Sequence, residues 1–200
     1  VTITAADVTS PNSSDACGIS TSAIDVSAFD CSNVGANTVT LTLTDINGNT
    51  SSCVATVTVE DTTAPVAICQ DITVQLDANG SVTITGAQVN NGSTDLCGVA
   101  SVTVSPSAFD CNNIGANTVT LTVTDNSGNI STCTSIVTVE DTVAPVAACQ
   151  NITVQLDATG NAIITAADID NGSTDACGIA STSIDITDFD CSDIGTHTVT

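Results

Sequence analysis

Acidic residues recur at fixed positions in this chain and are its best candidates for metal chemistry. The only two glutamates, Glu60 and Glu140, occupy the same place in two similar segments, and each is followed by an aspartate, Asp61 or Asp141. Carboxylate oxygens without nearby nitrogen or thiolate ligands are the donors that Ca²⁺ prefers. The pattern therefore predicts calcium at these two places.

Two further sets of aspartates recur in predicted loops. One set lies two residues before a Cys-Gly pair, and the other opens a turn that ends at an asparagine. In an immunoglobulin-like sandwich these loops meet the incoming connector at one end, so we expect a calcium site at each junction between repeats. Its residues would be Glu60, Asp61, Asp95, Asp125 and Asn129, with Glu140, Asp141, Asp175, Asp15 and Asp45 at the equivalent positions of the other repeats.

The alternative is that these aspartates only cap turns, as Asp and Asn often do. We favour turn capping for Asp45 and Asp125 taken alone. We favour calcium for the connector pair together with Asp95, because crowded carboxylates without a counter-charge repel one another.

The charge balance excludes several classes of partner. The 200 residues include 22 acidic residues, one His and no Lys or Arg, giving a formal charge of -22. Binding to nucleic acid or to an anionic membrane surface needs basic residues, so neither is expected. A hydrophobic content of 42% is enough for a folded core. No apolar run approaches the ~20 residues of a membrane span, so membrane insertion is not expected.

An internal repeat organises the chain. Cysteines recur at a constant interval, as in Cys17, Cys97 and Cys177, and the segments that begin at Asp61 and Asp141 are nearly identical. Such recurrence is typical of tandem-repeat proteins. We predict a partial repeat at 1–60, a complete repeat at 61–140 and a partial repeat at 141–200, read as a window on a longer chain.

Alternating apolar and polar residues predict an all-β fold built from tandem immunoglobulin-like sandwiches of about 80 residues. Val119, Leu121 and Val123 alternate with threonines, and Gly-containing turns separate such runs. No helical period is visible. The predicted strands of the complete repeat are 66–76, 81–86, 99–105, 117–125 and 130–139, with an irregular segment around Phe109.

Ten cysteines with a single histidine favour disulfides over a zinc site, and hence an oxidising compartment. The first and last strands of the sandwich should lie side by side, which predicts Cys69–Cys133. Elimination then gives Cys97–Cys111, and repetition gives Cys17–Cys31 and Cys177–Cys191. Cys53 and Cys149 are expected to pair outside this window.

The strings DTTAPV, CQDITV, STDLCG, IGANTVTLTVTDNSGN and STCTSIVTVED resemble the hyalin-repeat family of immunoglobulin-like modules, as found in large bacterial surface adhesins and filaments. The resemblance implies an extracellular, cell-surface role in adhesion or spacing, without enzymatic activity. The expected partners are further copies of the same repeat, and no adhesion target is predicted.

Other functions have weaker support. The alternative is a ligand- or carbohydrate-binding module of a secreted multidomain protein, but carbohydrate sites usually use aromatic platforms, and Trp and Tyr are missing. No nucleophile triad, metalloprotease motif or phosphate loop is present, so an enzyme is not expected. Thr62 and Thr142, in Asp-Thr-Thr and Asp-Thr-Val, are possible O-glycosylation sites.

Overall fold

The computed structural model describes residues 1–200, which form a mostly β protein with little helix. Its strands are β1 (Ile19–Ile24), β2 (Gly35–Asp45), β3 (Thr50–Val59), β4 (Ile72–Gln75), β5 (Ser81–Thr83), β6 (Val99–Ser105), β7 (Ala108–Asp110), β8 (Gly115–Asp125), β9 (Ile130–Glu140), β10 (Asn161–Ile163) and β11 (Asp188–Asp190). Its helices are α1 (Ala5–Val8), α2 (Gly86–Val89) and α3 (Ala166–Ile169). Single 3-10 turns follow at Cys31–Asn33, Cys111–Asn113 and Cys191–Asp193.

The strands form four sheets, among them a curled half-barrel. One sheet has the order β1-β2-β3 and another the order β4-β9-β8-β6, while β5 pairs with β7 and β10 pairs with β11. Within the second sheet, β4 runs parallel to β9, with Ile72 opposite Val137. The predicted adjacency of the first and last strands of the complete repeat is confirmed.

The core lies along the alternating strands. In β8, Val119, Leu121 and Val123 are buried, whereas the threonines between them are only partly covered. Val137 and Val139 of β9 are buried in the same way. The predicted division of these strands into an apolar and a polar face is confirmed.

Several local predictions were wrong. The segment around Phe109, predicted to be irregular, forms β7, because three residues that pair with β5 are too few to show an alternating pattern. The predicted strand 81–86 ends at Thr83, and Gly86 begins α2.

Two further differences concern the helices and the first strand of the complete repeat. The chain contains three short helices, although no helical period was visible, because four residues make only about one turn and leave no periodic pattern. The predicted strand 66–76 is shorter, since only Ile72–Gln75 forms a strand. Val66 and Cys69 instead make isolated bridges to Thr94 and Asn90. The segment changes its pairing partner between Cys69 and Ile72, so it is not one continuous strand.

The chain forms two compact units. Unit 1 comprises Val1–Gln70, Gly86–Ser105 and Thr120–Ser135, and unit 2 comprises Asp71–Thr85, Pro106–Val119 and Ile136–Thr200. The complete sequence repeat therefore contributes segments to both units. The domains 1–60, 61–140 and 141–200 stay a prediction from sequence recurrence.

Three disulfides form, and two of them differ from the predicted pairing. Cys69–Cys133 is present as predicted. The other two bonds are Cys31–Cys97 and Cys111–Cys177, each with a sequence separation of 66. The predicted pairs Cys97–Cys111, Cys17–Cys31 and Cys177–Cys191 are therefore wrong. Cys17, Cys53, Cys149 and Cys191 are exposed thiols in this chain.

Cys97 and Cys111 bond to different partners, Cys31 and Cys177. The seven residues of β6 lie between the two cysteines, and an extended strand of that length spans ~23 Å, whereas a disulfide needs Cα atoms about 4.4–6.8 Å apart. A bond between Cys97 and Cys111 would require residues 106–111 to run back along β6. Residues 108–110 instead form β7, which pairs with β5, so elimination within one repeat gave the wrong bond.

Gly80 leaves room for the Cys111–Cys177 bond in unit 2. It has a positive φ of 71°, and a Cβ at this position would lie 2.7 Å from the Sγ atom of Cys111 and 3.5 Å from that of Cys177. A side chain here would collide with the sulfur and strain the backbone. The β5 turn is thus built around the disulfide that it covers.

We predict that Leu121→Ala lowers the free energy of unfolding by about 2–5 kcal/mol, because it leaves a cavity in a close-packed core. Leu96→Ala is the matched control, since Leu96 is 94% exposed and Leu121 is 0% exposed. The control should change stability by less than about 0.5 kcal/mol. Denaturant unfolding of the oxidised chains measures both, and equal effects would contradict this assignment of the core.

Candidate functional site

The connector, residues 60–65, is held by the turn between β8 and β9 in unit 1. The side-chain amide nitrogen of Asn129, Nδ2, lies 3.1 Å from the carbonyl oxygen of Asp61 and 3.2 Å from that of Thr63. Ser127 adds a bond from its hydroxyl to the Asp61 carboxylate, at 3.1 Å. These bonds fix the path of a segment that contains no regular secondary structure.

Asp125 organises the turn that carries Asn129. Its carboxylate accepts hydrogen bonds from the backbone N–H groups of Ser127 and Asn129 and from the Asn129 side chain, each at 2.8 Å. Burial raises the pKa of the Asp125 carboxyl, but the bonds from Asn129, Ser127 and Gly128 outweigh it and hold the pKa below its ordinary value of 3.8. The carboxylate therefore stabilises the fold at neutral pH, and this contribution is lost as the pH falls through the lowered pKa.

Two acidic groups with the same composition occur, one in each unit. Carboxylate oxygens of Asp61 and Asp95 and the sulfur of Cys97 lie within 4.8 Å of one another, and so do the corresponding atoms of Asp141, Asp175 and Cys177. All six residues are half-buried. Each of the two groups could hold a metal ion.

A tight turn places each loop aspartate in its group. Asp95 accepts the backbone N–H of Cys97 at 2.7 Å, and Asp175 accepts that of Cys177 at 2.8 Å. Gly98 closes the first of these turns with a φ of 100°, a conformation that a side chain disfavours. The sequence Asp-x-Cys-Gly thus presents a carboxylate and a sulfur side by side.

The donor chemistry suits a hard cation. Cys97 and Cys177 are disulfide-bonded, so neither supplies the thiolate that zinc sites use. The donors that remain in each group are the carboxylate oxygens of two aspartates, which Ca²⁺ prefers. With no Lys or Arg in the chain, a basic side chain cannot neutralise the paired aspartates.

Only part of the predicted calcium set comes together. Asp61 meets Asp95, and Asp141 meets Asp175. Asp125 binds its own turn, and Asn129 directs its amide nitrogen to the connector. The remaining predicted residues lie outside both groups, namely Glu60, Glu140, Asp15 and Asp45. Asp15 and Asp45 accept hydrogen bonds from backbone N–H groups of their own loops.

Ser127 was missed by the sequence reasoning. It occupies the turn position held by Asn47 in the first repeat, so the repeat pattern gave no reason to single it out. The two possible glycosylation residues are both exposed. The hydroxyl of Thr142 donates a hydrogen bond to the side chain of Gln75 at 2.9 Å.

Comparison with known proteins does not identify the chain. No known protein family matches it, and a search of curated proteins finds no relative. None of its helices is long and apolar enough to cross a membrane. Its three disulfides indicate an oxidising, extracellular environment.

We predict that Asn129→Ala lowers the free energy of unfolding by about 1–3 kcal/mol, because it removes bonds to two connector carbonyls as well as the bond to Asp125. Amide hydrogen exchange at Thr63 should also accelerate. Asn49→Ala is the matched control, since Asn49 binds Asp45 in the corresponding turn of β2 and β3. Unchanged exchange at Thr63 in the Asn129 variant would show that the turn does not hold the connector.

Proposed function

We propose that this chain is a structural repeat segment of an extracellular surface filament or adhesin stalk, stiffened by disulfides and by Ca²⁺ at the junctions between repeats. The sequence resembles hyalin-repeat modules, which serve as spacers in large surface proteins. The proposed role is mechanical and non-enzymatic. The proposed partners are further copies of the same repeat.

The disulfide connectivity carries this proposal. Cys31 and Cys97 belong to consecutive sequence repeats, and so do Cys111 and Cys177. Such a bond is a second covalent link between neighbouring repeats, in addition to the peptide chain. It limits how far the two repeats can separate under tension, as a filament or stalk requires. On the chain-entropy model, a loop of this size stabilises a fold by about 4 kcal/mol. The contributions are not additive, because the three loops overlap.

The connector supports the same proposal. Flexible tethers are rich in Gly and Ser and lack fixed contacts. Residues 60–65 contain neither Gly nor Ser, and Asp61 and Thr63 are bonded to the β8–β9 turn. A fixed connector limits bending between successive repeats.

The paired aspartates give calcium a specific role in this proposal. Asp61 lies in the connector at the start of the repeat 61–140, and Asp95 lies in a loop of that repeat. An ion that both carboxylates bind would join the two segments and offset their repulsion. The same reasoning applies to Asp141 and Asp175. Dissociation constants of about 10⁻⁴–10⁻³ M are typical of extracellular calcium modules.

The cellular role is tested by localisation. An antibody raised against the chain should label filaments on the surface of intact cells that produce the parent protein, as seen by immunogold electron microscopy. Pre-incubation of the antibody with the purified chain is the control and should abolish the label. Label that appears only inside permeabilised cells would reject the proposal.

The calcium role is tested by thermal unfolding of the oxidised chain in ~10 mM Ca²⁺ and in EDTA. At a tenfold to hundredfold excess of Ca²⁺ over the dissociation constant, binding gives about 1.4–2.7 kcal/mol of stabilisation, or an increase in Tm of roughly 3–10 °C. The increase should vanish when Asp61, Asp95, Asp141 and Asp175 are all replaced by Asn. Asp15→Asn is the control, because Asp15 lies outside both acidic groups. An unchanged Tm in the wild-type chain would remove calcium from the proposal.

A further inference from the structure

The three disulfides enclose overlapping stretches of the chain. Their loops run from Cys31 to Cys97, from Cys69 to Cys133 and from Cys111 to Cys177. The first two overlap between residues 69 and 97, and the last two overlap between residues 111 and 133. Every peptide bond from residue 31 to residue 177 therefore lies inside at least one closed covalent loop.

The same bonds shorten the covalent route along the chain. Cys31–Cys97 and Cys111–Cys177 each bypass the residues between their two cysteines, at a sequence separation of 66. The shortest route from residue 1 to residue 200 consists of residues 1–31, 97–111 and 177–200. Only about a third of the chain therefore lies on this route.

We propose that this connectivity makes the chain a covalent ladder, which carries tension through a minority of its residues and survives a break in its backbone. The Cys31–Cys97 and Cys111–Cys177 bonds carry the load past both connectors. Cys69–Cys133 is off the shortest route, but it alone encloses residues 98–110, which the other two loops leave uncovered. The connectivity follows from the three disulfides alone. Only its use in bearing load on a cell surface rests on the proposed function.

Disulfides that enclose a connector act differently from disulfides confined to one repeat. A bond inside a repeat protects that repeat from unfolding but leaves the connector as a single strand. Here the connector residues 60–65 lie inside the first loop, and residues 140–145 lie inside the third. A protease that cuts either connector cannot separate the chain while the disulfides are intact.

The absence of Lys and Arg allows a direct test of the ladder, because a single introduced arginine creates the only trypsin site. The background carries Ser at the unpaired positions 17, 53, 149 and 191 to prevent disulfide exchange. In the Thr63→Arg variant, trypsin should leave a single species without reductant, with the mass of the uncut chain plus one water, because Cys31–Cys97 joins the two fragments. Reductant should then release two fragments, residues 1–63 and 64–200. Thr63 is exposed, and the reduced sample shows that cleavage took place.

Two further arginine variants are matched controls. Ser14 is exposed and lies outside every loop, so trypsin should release the peptide 1–14 from the Ser14→Arg variant without reductant. Ser107 is also exposed and lies only inside the Cys69–Cys133 loop. The fragments of Ser107→Arg should stay joined, and they should separate when Cys69 and Cys133 are both replaced by Ser. Separation of the Thr63→Arg fragments without reductant would overturn the proposal.

Stretching single molecules from the two termini tests the load route. At ~3.5 Å per residue, the oxidised background chain should extend to ~250 Å and the reduced chain to ~700 Å. Loss of Cys69–Cys133 should leave the oxidised length unchanged. Loss of Cys31–Cys97 should lengthen it to ~400 Å. The shortest route then follows residues 1–69, crosses Cys69–Cys133, runs back from residue 133 to residue 111, and crosses Cys111–Cys177 to residues 177–200.

The extended length of the oxidised chain distinguishes the ladder from a chain whose disulfides lie within each repeat. For a chain with all ten cysteines, within-repeat pairs Cys17–Cys31, Cys69–Cys133 and Cys177–Cys191 would leave residues 1–17, 31–69, 133–177 and 191–200 on the route. These stretches extend to ~390 Å. An oxidised ten-cysteine chain that reaches ~390 Å instead of ~250 Å would refute the ladder. It would leave the surface role open, because immunogold labelling decides that separately.

Discussion

Backbone amides take the place of basic side chains in stabilising many of the carboxylates of this chain. The 22 acidic residues have no Lys or Arg to pair with, and aspartates at the turns accept N–H groups two to four residues further along. Asp77 accepts those of Asn79 and Ser81, and Asp157 accepts those of Thr159 and Asn161. The N–H groups of Ser81 and Asn79 lower the pKa of Asp77, and the Thr159 hydroxyl together with the two N–H groups lowers the pKa of Asp157. The charged carboxylates therefore stabilise the turns in which they lie.

The same interaction places the cysteines. Asp30 and Asp110 cap the 3-10 turns that begin at Cys31 and Cys111. Asp95 and Asp175 bind the backbone of Cys97 and Cys177. Both cysteines of each bond between repeats are therefore presented by an aspartate-stabilised turn. Because the two turns are already ordered, little additional conformational entropy is lost locally when the cysteines pair. This favours a bond across a sequence separation of 66.

The sequence allowed the regular parts of the fold to be predicted, because their determinants are local. The alternation in β8 and β9 identified both strands, and the adjacency of β4 and β9 led to Cys69–Cys133. The bonds of Cys97 and Cys111 were mispredicted because spacing along the chain does not show which neighbouring repeat comes close. Asp61 and Asp95 were expected together and lie together. Glu60 was expected with them because the Glu-Asp pair recurs in the connector, but Glu60 lies outside the group.

The bond between Cys31 and Cys97 also imposes an order on biosynthesis. In a chain that emerges from its N-terminus, Cys31 meets Cys53 and Cys69 before its own partner exists. At about 5–20 residues per second, the stretch between the two cysteines takes several seconds to appear. Oxidation that is faster than this would trap the wrong pair. A wrong pair formed at this stage has to undergo thiol–disulfide exchange before Cys31–Cys97 can form.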